Sequence, residues 1–175
     1  IFEPAIGTEN LADGLALQAM TMVKRSLVSV TKDGADLDAR ADMLVASGMA
    51  CIALQKGLGA MHALSHALGA KYDSHHGLLN AVLMPYVLRH NWPAIKDKMG
   101  ELSFTLQLGG HPEAVLDWIQ ELQQHLDIPT TLGAMGLDII DPNDIAEIAA
   151  KDPCAQGNPT QFDKTAALAV LATAL

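Results

Sequence analysis

Residues 57–77 read Gly57-Leu58-Gly59-Ala60-Met61-His62-Ala63-Leu64-Ser65-His66-Ala67-Leu68-Gly69-Ala70-Lys71-Tyr72-Asp73-Ser74-His75-His76-Gly77. Apolar residues recur here at helical spacing, and the alternation of a strand is missing. The stretch predicts a helix from about Gly59 to Leu68, stopped by Gly69. Tyr72-Asp73-Ser74 then forms a connection, and a further helix begins near His75.

The same punctuation extends in both directions. Upstream, Leu11, Leu15, Ala19, Met22 and Val23 mark a helix from Leu11 to about Val30, ended by Thr31-Lys32-Asp33-Gly34. A second runs from Leu37 to about Lys56, with Asp36 as its N-cap and Gly57 just past its end. Downstream, Leu78, Leu79, Val82 and Leu83 continue the helix that starts near His75, and Pro85 predicts a kink or break in it. Asn91-Trp92-Pro93 opens a separate helix to about Leu106. Pro112, at an N1-like position, opens another to about Leu126. Pro129 to Leu137 is a connection, and Asp141-Pro142 starts a helix to about Ala150. Asp152 to Pro159 is loop, and Thr160 to Leu175 is the last helix. Strand patterns are missing throughout, so the fold class is all-α, a multi-helix bundle.

Composition bounds the function. The chain has 175 residues, enough for one domain with a real core. Half are hydrophobic but only 4% aromatic, a mixture that favours helices. The formal net charge of -9 argues against a nucleic-acid partner, which needs a basic footprint. Charges such as Lys56, Lys71, Asp73 and Arg89 interrupt every apolar run long enough to span a membrane. Ile1-Phe2-Glu3-Pro4 has neither the basic nor the apolar region of a secretory signal. Cys51 and Cys154 lie far apart with no CxxC, which suits a reducing, cytoplasmic setting.

Four of the seven histidines fall in the opening stretch, and three of them bear on one another. His62 and His66 are four residues apart and share one helix face. His62 sits ~9 Å from the end of its helix, at 1.5 Å per residue. A short turn then brings His76 into the first turn of the next helix, so His62, His66 and His76 converge. The positive end of that helix disfavours a proton on His76 and leaves it able to bind a cation. His75 reads as structural, and His90, His111 and His125 as solvated. Other chemistries lack their motifs: there is no HExxH, no Glu-x-x-His pair, no GxGxxG, no P-loop and no GxSxG. Asp36, Asp38, Asp42 and the C-terminal acids read as caps and solvated faces.

The pattern Gly59-x-x-His62-x-x-x-His66-x-x-Gly69, followed by Tyr72-Asp73-x-x-His76-Gly77-x-x-Asn80-Ala81-x-x-x-Pro85, resembles the signature of the iron-containing (group III) alcohol dehydrogenases. The 14-residue step from His62 to His76 is similar to that between the family's two metal histidines. Leu37-Asp38-Ala39-Arg40 with Met43, Ala46 and Ser47 resembles the segment just upstream. Leu11 to Ala16 resembles a still earlier one, and Gly157-Asn158-Pro159 resembles the family's C-terminal Asn-Pro. The resemblance implies that residues 1–175 form the helical metal-binding domain of the dehydroquinate-synthase-like and iron alcohol dehydrogenase type. Its companion would be an N-terminal α/β domain that binds NAD or NADP. Carried over, His62 and His76 become ligands of Fe2+, with Zn2+ as the alternative, and His66 the catalytic histidine beside nicotinamide and substrate. The family's remaining Asp and His ligands lie upstream of the Leu11 segment, and this chain has no equivalent pair. His75 stands where the family commonly has Pro.

Two functions follow as expectations. One is the metal-binding part of an alcohol dehydrogenase that interconverts a small alcohol and an aldehyde or ketone, as a homodimer if it follows the family's common habit. The fragment by itself would be inactive. The other is a non-catalytic helical structural or interaction module, because a catalytic metal usually has at least three protein ligands and two are supplied here.

Overall fold

The computed structural model describes residues 10–138 and 140–175. The reading of Ile1 to Pro4 falls outside them. The described residues form seven α-helices and no strand: α1 (Asn10–Lys32), α2 (Leu37–Ala53), α3 (Ala60–Tyr72), α4 (His76–Thr105), α5 (Glu113–His125), α6 (Pro142–Lys151) and α7 (Lys164–Ala174). Short 3-10 turns cover Leu54–Lys56, Gly133–Met135 and Pro153–Gly157. The last two lie in stretches read as plain connection and loop. Among the described residues, no single helix is long and apolar enough to cross a membrane.

Several helix ends follow local chemistry. The Asp36 carboxylate accepts from the Ala39 N–H at 3.0 Å and starts α2. Gly57 follows the second helical stretch at φ +100°, a conformation open to glycine. Asp141 accepts from the N–H groups of Asn143 and Asp144, with Pro142 in the first turn of α6.

Other ends differ from the pattern. Gly69 does not stop α3, because Leu64 and Leu68 are fully buried and their packing outweighs the ~1 kcal/mol of an interior glycine. The helix ends instead at Asp73, whose φ of 49° is a left-handed stop that Asp tolerates better than most residues. Pro85 does not break α4, and Asn91 does not open a new helix: one helix runs from His76 to Thr105. Each proline removes one N–H from the ladder. Buried Val82, Leu83, Val87, Asn91 and Ile95 hold the turns on both sides of Pro85 and Pro93. Pro112 takes the N-cap position of α5 rather than N1. Finally, α7 starts at Lys164 rather than Thr160, because Asp163 caps it through the Ala166 N–H.

Contacts divide the chain into two compact units. In the first, residues 10–56 and 96–126, α1 packs on α2. Arg25 forks onto Asp42 across that pair at 2.8 and 2.7 Å. Of the α1 residues read as periodic, Ala19 and Met22 are buried but Leu11 is 71% exposed.

The second unit, residues 57–95 and 127–175, carries the histidine stretch. Its core draws on α3, α4, α6 and α7, including Leu64, Leu68, Leu79, Leu83, Ile145 and Leu171. A buried polar knot sits among these elements. Asn158 Nδ2 donates to Asn91 Oδ1 at 2.8 Å, and Asn91 Nδ2 donates back to Asn158 Oδ1 at 2.9 Å. Asn158 Oδ1 also accepts from the Ala60 N–H at 3.1 Å, which caps α3 where Gly59 has no side chain to do so. Gly157 is required beside it, since a Cβ there would collide with the Leu58 carbonyl oxygen.

Candidate functional site

The last turn of α3, its stop at Asp73 and the first turn of α4 bring His62, His66 and His76 together. Their ring centroids lie 6.1 Å apart for His62 and His66, 5.5 Å for His62 and His76, and 5.3 Å for His66 and His76. The His66 and His76 rings are stacked, 17° from parallel. Spacing in the sequence therefore placed the cluster correctly.

His75 caps α4: its Nδ1 accepts from the Leu78 N–H at 3.2 Å. Gly77 makes room for that ring, because a Cβ at Gly77 would lie 3.2 Å from it. His111 and His125 are exposed, as expected of solvated histidines. His90 is not. It is half-buried, packs edge-on against Phe162 with centroids 6.0 Å apart, and its Nε2 is buried without a hydrogen-bond partner. The apolar face of α4 carries it inward.

A hydrogen-bond chain orients His76. Asn80, one turn further along α4, brings its amide nitrogen 3.0 Å from His76 Nε2 and 3.5 Å from His62 Nε2. Ser65 donates to the His62 carbonyl at 3.1 Å, and its oxygen lies 3.3 Å from His76 Nδ1. The consistent assignment has Asn80 donating to Nε2 and His76 donating from Nδ1 to Ser65. Partial burial of the ring, then the neighbouring His62, His66 and His75, lower the proton affinity of His76 from its ordinary value. The direction is the one expected from a helix start, but ring burial and crowding of imidazoles cause it. Two basic Nε2 atoms thus face one amide N–H₂ group, the positive pole of a dipole. Asn80 Oδ1 is itself buried with no partner. Imidazole nitrogens are donors that could hold a borderline cation.

A second constellation joins at His66. Its Nδ1 lies 3.0 Å from Asp152 Oδ2. The other oxygen of Asp152 accepts from the Cys154 N–H at 2.8 Å and starts the 3-10 turn. Burial pushes the Asp152 carboxyl up, but hydrogen bonds from the Cys154 N–H and thiol, and then from His66, outweigh it and hold it below the usual carboxylate range. His66, Asp152 and Cys154 each offer one donor atom, and these lie within 4.8 Å of one another. That set contains neither His62 nor His76.

Residues 4–175 match the family model of the Fe-containing alcohol dehydrogenase family, C-terminal. The chain belongs to this family. Alcohol dehydrogenase 4 of Saccharomyces cerevisiae is 36% identical over 167 residues, covering 92% of this chain and 43% of that protein. The NAD-dependent methanol dehydrogenase of Bacillus methanolicus is 31% identical over 163 residues, covering 89% and 43%. A solved 1,3-propanediol oxidoreductase superposes with a TM-score of 0.88 at 31% identity, covering 95% of this chain and 46% of its own. The chain thus spans less than half the length of these relatives.

In this member of the iron-containing alcohol dehydrogenase family, the histidines were legible but their polar neighbours were not. Ser65 is hidden in an apolar helical run. Asn80 stands within the resembling motif but has no role by itself. Asp152 precedes a proline, which signals a turn, and nothing in its own neighbourhood points to His66, 86 positions away.

Proposed function

We propose that residues 1–175 are the helical metal-binding domain of a nicotinamide-dependent alcohol dehydrogenase. The whole protein interconverts a small alcohol and an aldehyde or ketone. The observation that carries the reading is the convergence of His62 and His76 Nε2 on one amide group, within a chain of this family. His62 and His76 would hold the cation, Fe2+ with Zn2+ as the alternative. A cation held there supplies Lewis acidity to the substrate oxygen, and NAD or NADP, carried mainly by an N-terminal domain, supplies the hydride acceptor.

The chain's own residues prepare that chemistry. Ser65 fixes the rotation of His76 through Nδ1, which keeps Nε2 available as a ligand atom. His66 sits on the same helix face and is exposed, so it can take the hydroxyl proton and return it to solvent. Apart from the substrate, the partner is the protein's own nucleotide-binding domain, with a homodimer as the assembly and the reducing cytoplasm as the setting.

An anaerobic titration with cobalt(II) or iron(II), run on the chain and on His62→Ala and His76→Ala, tests the reading. The expected result is one bound equivalent in the parent, lost in either variant. Unchanged metal binding in both variants overturns the assignment. No binding by this chain alone means that ligands outside it are required, and the titration is then repeated with the N-terminal domain restored.

A further inference from the structure

We infer that Asp152 is a positioning residue for His66: its carboxylate holds the imidazole as the Nδ1–H tautomer and reserves Nε2 for the proton that moves. The inference rests on the reading of His66 as the proton-transfer group. Three bonds lock Asp152 in place. Its N–H donates to the Ala149 carbonyl at 3.1 Å at the end of α6. One carboxylate oxygen accepts from Cys154 N–H at 2.8 Å, and the other meets His66 Nδ1 at 3.0 Å. The carrier elements are equally constrained. α3 packs on α6 and on the 3-10 turn, and Ala63, Ala67, Ala146 and Ala149 are buried in one core. Small side chains there let the helices approach closely enough for a short Asp to reach the imidazole.

The chemistry follows from the inventory of donors. An ionised carboxylate only accepts, so the proton shared on that edge stays on Nδ1. Which nitrogen of a histidine carries the proton is set by the bond the other one makes. With Nδ1–H spent on Asp152, the lone pair lies on Nε2. A hydroxyl proton taken there makes an imidazolium that the adjacent carboxylate stabilises, and the same proton leaves from Nε2 to solvent. Asp152 stays ionised throughout, so no second proton is needed.

Long-range 1H–15N correlation of His66 in the 15N-labelled full chain reads the tautomer directly. The expected result is protonated Nδ1 and unprotonated Nε2 in the parent chain. Asp152→Asn keeps a competent cap but removes the charge, and Asp152→Ala removes both. The Nδ1–H pattern is expected to weaken in the first and to be lost in the second. In the holoenzyme, Asp152→Asn lowers kcat about 10- to 100-fold, the usual effect of losing a histidine's orienting partner, with KM about unchanged. Asp152→Glu is expected to restore part of that loss. An Nε2–H pattern in the parent chain, or a pattern indifferent to both substitutions, overturns the inference. A chain without dehydrogenase activity that still shows the tautomer shift removes the dehydrogenase reading and leaves Asp152 as the residue that orients His66.

Discussion

In the second unit, the large side chains face inward: Leu64, Leu68, Leu79, Leu83 and Leu171 are fully buried. In the first unit, α2 is arranged the other way. Its buried positions are Ala39, Ala46 and Ala53, seven residues apart, while Leu37, Leu44, Val45 and Ile52 are exposed. On α1 the buried positions include Ala12, Ala16 and Ala19. The α1–α2 contact therefore combines small residues, Ala19 and Ala46, with the longer Met22, Val23 and Met49. Hydrophobicity alone does not tell which face of a helix is covered. A leucine gains more from burial than an alanine, roughly 1.5–3 kcal/mol for the full side chain, but only where the neighbouring element leaves room for it.

The polar contacts contrast as well. The second unit is tied by a neutral knot, Asn158 with Asn91, Thr160 and the Ala60 N–H. The first contains an ion pair between Lys56 and Asp13, with the Lys56 side chain only 1% exposed. Lys56 looked in the sequence like a charge that interrupts an apolar run. It does so, but folded inward against a partner 43 positions away.

The largest expected effect comes from cutting the neutral knot. Asn158→Ala removes the partner of the buried Ala60 N–H and Asn91 amide, and each unpartnered buried group costs about 1–3 kcal/mol. A loss of about 3–5 kcal/mol is expected in urea or thermal unfolding; a loss below about 1 kcal/mol would mean that the knot does not hold the second unit together. Next comes Asp13→Ala, which leaves the Lys56 ammonium without that carboxylate and is expected to cost about 3 kcal/mol. Adding Lys56→Met should recover most of it, because an apolar side chain of similar length needs no partner. If the double variant is no better than the single one, packing rather than charge explains the loss. At the small end is Leu44→Gln on α2. Leu44 is 74% exposed, so unfolding should move by no more than about 0.5 kcal/mol. A larger loss would show that the outward face of α2 is covered in solution.

Much of this was legible locally. Asp36, Asp141 and Gly57 announce helix ends because capping acts within one turn. His62 and His66 share a face because their spacing dictates it, and the short Tyr72–His75 connection leaves His76 little freedom. The misread places are those where packing overrides a local rule: Gly69 and Pro85 look like breaks, yet buried neighbours on both sides carry the helix through. His90 looked solvated because its own neighbours in sequence are mixed, and Phe162 covers it from the far end of the chain.

Composition, helical spacing and one histidine motif were thus enough to determine an all-α chain, the cluster of His62, His66 and His76, and the likeness to its family. These depend on geometry within about two turns of helix, which the order of residues dictates. Tertiary structure alone decided which face of α2 is buried, that Lys56 finds Asp13, that Asn158 caps α3 from 98 residues away, and that Asp152 meets His66. Each pairing joins elements distant in sequence. Its partners are chosen by how closely the helices pack, and no local pattern encodes that distance.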